Sequence, residues 1–290
     1  MNTESTEIVV TGIDQLKSLN RRLGLSEYVA ETFKRVRFIW VEARFRAFRT
    51  TRDYRYWKFW LLIQPLLDVA VYGLVFGVIL KTNRGIDNYV GYLVIGVTFF
   101  GFMSSMASAG QGLVKANRAF MRTFEFPRVC IILSHACRYA LDHLPAALMS
   151  LIFAVATSWG QLDILEIWKL VLVVPIYFLI HIFGAGLMLL IARLSAQIPD
   201  VKALIGVALR VWFFISGVFF SISSHVDHAV LRRILEANPA VQFLNALRDI
   251  VLRGDLPSFG SWLALLLWST GIFALGFICF WQAEEKYVNV

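Results

Sequence analysis

The sequence predicts an all-α integral membrane protein: an N-terminal amphipathic interfacial helix, then six transmembrane helices, with re-entrant outer helices between the fifth and sixth. Two observations set this class. Of 290 residues, 58% are hydrophobic and 17% charged, with a mean hydropathy of +0.65; soluble domains carry roughly 25% charge. Six apolar runs are long enough to cross a hydrocarbon core of about 30 Å. They cover 59–80, 89–114, 129–159, 167–192, 203–222 and 259–281. Disorder, collagen, coiled coil and a disulfide-stapled domain do not fit high hydrophobicity, scattered glycines and three cysteines.

Residues 1–26 form a polar extension with no early apolar run, so no cleaved signal peptide is expected. From Glu27 to Arg49, Val29, Phe33, Val36, Trp40, Ala43 and Ala47 fall on one helical stripe. Glu31, Arg35, Glu42, Arg46 and Arg49 fall on the other side. Such a helix lies in the membrane interface with its aromatics at the acyl boundary, or is a solvated helix. The segment 27–58 then enters the first span through Tyr54, Tyr56, Trp57 and Trp60, an aromatic belt at the water boundary.

Six crossings put both termini on one side, and the basic residues choose which. Twelve precede Phe59, and Lys115, Arg118, Arg122, Arg128, Arg193, Lys202 and Lys286 share their side. The opposite side holds Lys81, Arg84, Lys169, Arg232, Arg233, Arg248 and Arg253. Positive charge accumulates inside, so both termini, including the tail 283–290, are expected in the cytoplasm. The net charge of +8 reports this orientation rather than nucleic-acid binding.

Between spans two and three, Lys115, Arg118, Arg122 and Glu125 recur at helical spacing, with Ala116, Phe120 and Phe124 on another face. Phe126, Pro127 and Arg128 end this loop, 115–128. A short surface helix of this kind is a solvated connector or a docking point for a soluble partner. The second inside loop, with Ile198, Pro199 and Asp200, offers a smaller contact. Beyond span five, 219–253 is semi-apolar yet carries His225, Asp227, His228, Arg232, Arg233 and Glu236. Re-entrant helices capping the outer mouth suit it, because backbone at membrane depth must be satisfied internally. Asn238 and Pro239 mark its turn.

Catalytic chemistry has little footing. No glycine is followed by lysine, so a phosphate-binding Walker loop is absent. No Gly-x-Ser-x-Gly elbow occurs. His225, Asp227 and His228 are the sole histidine cluster, explained equally by a polar turn at headgroup level. No catalytic residue, cofactor site or metal site is assigned.

Charges within spans are costly and mark partners or cavities. Arg138 and Asp142, four apart, read as an internal ion pair or a substrate contact. Asp68 in span one and Arg210 in span five have no local partner. Aromatics of the spans pack, face lipid, or line a pathway past which sugar rings can slide. The candidates are Tyr72 and Phe76 in span one, Phe99, Phe100 and Phe102 in span two, and Phe213, Phe219 and Phe220 around span five. Gly73 and Gly77 form a small-xxx-small pair that could bring two helices close.

The order of these features resembles the membrane subunit of type-2 ABC exporters, specifically those for polysaccharide and teichoic acid. The likeness rests on the interfacial helix, the six spans, the Phe126-Pro127-Arg128 loop end, the semi-apolar outer segment and the Asn238-Pro239 run reaching Asn245 and Arg248. One position departs: Pro199-Asp200 stands where many relatives carry Arg-Asp. The resemblance implies a homodimer in the bacterial cytoplasmic membrane with two separate nucleotide-binding subunits, which would hold the ATP and Mg. Lys115, Arg118, Arg122, Glu125, Phe126, Arg128 and Asp200 would couple to those subunits. The pathway would lie at the homodimer interface and the cargo would be a glycan on a polyprenyl diphosphate lipid. A type-2 exporter of small hydrophobic drugs or lipids shares this topology. A membrane enzyme on lipid-linked sugars would need an acid or histidine cluster that the chain lacks.

Overall fold

The computed structural model describes residues 23–47, 63, 67–80, 86–123, 126–158, 164–198 and 200–288. Among them every regular element is helical. The chain opens with α1 (Leu25–Lys34) and α2 (Val36–Arg46), separated by Arg35. The expected single amphipathic helix is therefore two. The break changes which face is buried. Tyr28, Thr32, Ile39 and Ala43 pack inward, while Phe33, Val36 and Trp40 stay exposed, 72%, 51% and 51% respectively. Those three form the apolar face free to enter an acyl boundary.

Helix α3 covers Leu67–Ile79, its last turns π-helical from Gly73, with the Leu80 amide donating to the Val75 carbonyl at 2.9 Å. The start of the predicted first span lies outside the described residues. Then follow α4 (Tyr89–Ala109), the short α5 (Leu113–Ala116) and α6 (Arg118–Thr123), and α7 (Val129–Thr157). A 3-10 stretch, Ile164–Leu172, leads into α8 (Val173–Gln197), and α9 covers Val201–Ile215. Three shorter helices, α10 (Ile222–His225), α11 (Ala229–Glu236) and α12 (Pro239–Arg248, with a π-helical extension Asp249–Arg253), precede α13 (Phe259–Gln282).

Among the described residues, four helices are long and apolar enough to cross a membrane: Tyr89–Ala109, Val129–Thr157, Trp168–Gln197 and Phe259–Gln282. Span two stops at Ala109, short of the expected Val114. Gly110 lies against the Met188 carbonyl, and Gly112 turns the chain at φ +71°. Helix α9 ends at Ile215, before the predicted Ile222. The Ser216 hydroxyl takes the Trp212 carbonyl at 2.6 Å, and Gly217 adopts φ +60°. The chain then bends into α10 to α12.

Pro145 lies inside α7. Its ring removes the donor that the Leu141 carbonyl would otherwise receive, and one residue earlier the Ala140 carbonyl accepts from Tyr177 Oη of α8 at 2.5 Å. The tightest crossing joins α8 and α13. A Cβ on Gly276 would lie 2.5 Å from the Gly186 carbonyl oxygen, so the two backbones touch. Gly73 has no comparable neighbour: its nearest is a Leu93 methyl at 3.7 Å. The chain's own close approach thus uses glycines other than the expected pair.

Candidate functional site: an aromatic cluster and a loop node at opposite ends of the bundle

At the end holding α10 to α12, Phe219 is fully buried and sits at the centre of an aromatic cluster. It stacks on Phe76 with centroids 4.0 Å apart and planes at 14°. Tyr72, Phe213 and Phe214 surround it at 5.1, 4.9 and 5.8 Å. Phe213 also meets Tyr72 at 5.6 Å and Phe100 at 5.1 Å, and Phe100 meets Trp212 at 4.9 Å. Offset and edge-on contacts of this kind are each worth ~1 kcal/mol beyond burial. Five of the eight aromatics expected to line a pathway therefore converge: Tyr72, Phe76, Phe100, Phe213 and Phe219.

The other three go elsewhere. Phe99 and Phe102 pack together at 5.2 Å, and Phe102 stacks on His143 at 4.2 Å. Phe220 turns toward His225 at 5.7 Å. Trp212 and Phe214, the aromatics of span five on either side of Phe213, join the cluster as well.

Around Phe102 lies a buried polar chain the sequence did not suggest. His181 Nδ1 is 2.8 Å from the Tyr177 carbonyl, which can only accept, so His181 Nε2 carries the lone pair. His143 Nδ1 donates to it at 3.1 Å, leaving His143 Nε2 to receive the Ser105 hydroxyl at 3.1 Å. These contacts join three helices, α4, α7 and α8.

At the opposite end, the loop between α4 and α7 is not one continuous helix. Asn117 interrupts it, its Nδ2 donating to the Leu113 carbonyl at 2.9 Å. Lys115 is exposed, Arg118 half-buried, and Asp200 exposed at the start of α9. Glu125 and the side chain of Arg122 lie outside the described residues. Phe126 reaches Phe38 of α2 at 5.4 Å and Phe120 at 5.6 Å.

Arg128 is bound from two sides. Its backbone amide donates to Glu284 Oε1 at 2.9 Å, and its guanidinium donates to the Glu284 carbonyl. Tyr28 Oη donates to Glu284 Oε2 at 2.6 Å and accepts from the Val129 amide at 3.2 Å. Trp281 Nε1 also donates to the Leu23 carbonyl at 3.0 Å. The N-terminal helix, the end of the loop and the C-terminal turn thus share one buried node. Burial raises the Glu284 pKa, opposed by the Tyr28 hydroxyl and by Arg128. The Tyr28 phenol is raised well above its usual value, first by burial and then by the Glu284 charge. Neither Tyr28 nor Glu284 was a candidate, since nothing local in the sequence links positions 256 apart.

Arg138 and Asp142 form the internal ion pair, Nε to Oδ2 at 3.0 Å. Asp68 and Arg210 are exposed and do not pair with each other. They sit at one level, because Tyr72, one turn beyond Asp68, meets Phe213, about one turn beyond Arg210. Among the described residues, no three His, Cys, Asp or Glu are placed to hold a metal ion, His225, Asp227 and His228 included.

The chain matches the ABC-2 type transporter family over residues 38–252. It is 23% identical over 221 residues to the O-antigen export system permease protein RfbA of Myxococcus xanthus, covering 72% of this chain and 80% of the relative. It is 20% identical over 259 residues to the polysialic acid transport protein KpsM of Escherichia coli, covering 88% and 97%. A Klebsiella pneumoniae RfbA is 22% identical over 198 residues, covering 68% and 73%. With four helices able to span a membrane and a family match over most of its length, this multi-pass membrane protein belongs to the ABC-2 type transporters.

Proposed function

We propose that this chain is the membrane subunit of an ATP-driven exporter that moves a polyprenyl-diphosphate-linked polysaccharide of O-antigen, galactan or teichoic-acid type out of the bacterial cytoplasm. The relatives named for O-antigen export and polysialic acid transport support the polymer cargo. The observation that carries the reading is the aromatic cluster at one end of α3, α4 and α9. Ring faces there offer apolar stacking without fixed hydrogen-bond sites, so a sugar chain can pass without being held.

ATP and Mg would bind separate subunits that dock on the α5–α6 loop, with Lys115 and Asp200 on the exposed contact and Phe126 and Arg128 transmitting its position to the node. In this reading the first span and α9 complete a six-crossing topology in the inner membrane, α10 to α12 are re-entrant at the outer face, and both termini are cytoplasmic. Asp68 and Arg210, exposed and level at bilayer depth, favour a homodimer. Lipid does not accommodate such charges, whereas a second copy or a shared aqueous pathway does.

The test is co-expression with the ATP-binding subunit and reconstitution with a polyprenyl-diphosphate glycan. ATP-dependent glycan movement that falls in a Lys115→Glu variant supports the reading. ATP-dependent movement of small hydrophobic dyes or phospholipids with none of the glycan would favour the drug or lipid exporter, and no association with an ATPase would end both.

A further inference from the structure

Arg248, at the end of α12, is 2% exposed, and among the described residues no carboxylate lies within ion-pair distance of its guanidinium. A buried charge is tolerated only where hydrogen bonds replace its water. Here the replacement is a set of backbone carbonyls and one ring. Nη1 donates to the Gly217 carbonyl at 3.1 Å, and Nη2 to the carbonyls of Val218 and Tyr92, each at 3.3 Å. The guanidinium carbon lies 3.3 Å from the centre of the Tyr92 ring. The Tyr92 hydroxyl is itself 2.9 and 3.0 Å from the carbonyls of Gly217 and Phe220. Gly96, one turn along α4, leaves the space: a Cβ there would lie 2.7 Å from Nη2 and 3.0 Å from the Val218 carbonyl.

All of these contacts converge on the turn after α9, where Gly217 reverses the chain at φ +60°. The Gly217 and Val218 carbonyls lie just past the Ser216 C-cap, beside the negative end of the α9 dipole, and a cation is the matching group. A second set of bonds holds the start of the turn. Trp212 Nε1 donates to Asn238 Oδ1 at 2.9 Å, and Asn238 Nδ2 donates to Ser216 Oγ at 3.0 Å. The same turn carries Phe219 into the aromatic cluster.

We propose that Arg248 is a positioning residue of the outer closure: its guanidinium, seated on Tyr92, fixes the Gly217–Val218 turn and so keeps Phe219 stacked on Phe76 across the pathway. This rests on the reading of the aromatic cluster as part of the export pathway. Movement of the turn away from α3 must first break the fork to Gly217 and Val218. Lysine keeps the charge but has no planar fork, so it cannot hold both carbonyls while lying on the ring.

The test uses the full complex with its ATP-binding subunit in proteoliposomes without ATP, comparing the parent with Arg248→Lys, Tyr92→Phe and Phe219→Ala. Two quantities are read: leak of an entrapped small anion, and amide hydrogen exchange in the segment 214–221 against a segment of α8. Arg248→Lys is expected to raise leak and local exchange about tenfold, the shift in a two-state ratio when a charge-assisted hydrogen bond is lost, with α8 unchanged. Tyr92→Phe raises both by less. Leak from Phe219→Ala but not from Arg248→Lys or Tyr92→Phe overturns the latch, as does unchanged exchange at 214–221. Exchange that rises equally in α8 also overturns it, because that is global loosening. If Phe219→Ala itself does not leak, the pathway reading fails, and the exchange data alone then decide whether Arg248 fixes the turn. Should Arg248→Lys fail to assemble, Tyr92→Phe is judged by the same two criteria.

Discussion

Replacing Gly186 by alanine places one methyl where α8 and α13 have no gap. The added Cβ would lie 2.6 Å from the carbonyl carbon and oxygen of Ile272 and from the Phe273 amide nitrogen. All three are backbone atoms, so no rotamer change relieves the contact. Restoring ordinary van der Waals separation moves the helices apart by about 1 Å, and a gap of that size forfeits up to half of each dispersion well along the seam. Overpacking of this kind costs ~1–3 kcal/mol, and the upper part applies where backbone meets backbone. Alanine returns ~1 kcal/mol of helix propensity, leaving a net loss of about 2 kcal/mol. The control is Gly271→Ala on the partner helix α13, where nothing lies within 4 Å and propensity acts alone, so stability is unchanged or rises. Gly276→Ala behaves like Gly186→Ala, and the double variant costs less than the sum because one separation serves both. The assay is reversible unfolding in mixed micelles by increasing SDS, followed by tryptophan fluorescence. A Gly186→Ala midpoint equal to or above that of Gly271→Ala would refute the close-crossing argument.

Asp142→Asn leaves the Arg138 guanidinium facing a neutral group at 19% side-chain exposure and should cost about 2–3 kcal/mol, whereas the volume-matched double change Arg138→Met with Asp142→Leu should cost less; the same SDS titration compares them. For Glu284, whose carboxyl pKa is raised in the folded protein, the native state holds a proton that the unfolded chain has released. Stability therefore falls as pH rises from the ordinary value of about 4.5 through the raised native value, and levels off above it. Glu284→Gln removes that slope, measured as thermal midpoint against pH, and an unchanged slope in the variant places the titration elsewhere.

Local signals in the sequence carried the helical class, the apolar runs and the Arg138–Asp142 pair, because hydrophobicity and i,i+4 spacing are properties of one helix. They carried the Tyr72 and Phe76 part of the aromatic cluster for the same reason, since i,i+4 spacing puts both on one face, whereas Phe219 reaches the cluster through the turn at Gly217. What was not legible came from contacts between distant elements. Phe99 and Phe102 look like Phe100 in sequence, yet their rotation about the α4 axis, about 100° and 200° from Phe100, brings Phe102 to His143 and the two to each other. The Tyr28–Glu284–Arg128 node joins the two ends of the chain. The Gly186–Gly276 crossing has no shared motif, and the more visible Gly73 and Gly77 pair makes no comparable backbone contact.

The two ends of the bundle are connected by α9, and its packing explains why end contacts matter to it. Ile205 is its one buried residue between Val201 and Ile215, so little apolar area within the chain resists its displacement. Its position depends instead on what holds its termini. At the start, Lys202 Nζ lies close enough to Gly112 that a Cβ there would come within 2.8 Å of it. At the finish, Trp212, Ser216 and Gly217 are tied to Asn238, Arg248 and Tyr92. A helix tied by hydrogen bonds at its far end and sparsely packed along its length can shift as a unit at low cost in buried surface. A push on the loop beside Gly112 therefore has a short mechanical route to the turn that seats Phe219, and the polar ties at the far end, not the core, set how far that turn can go.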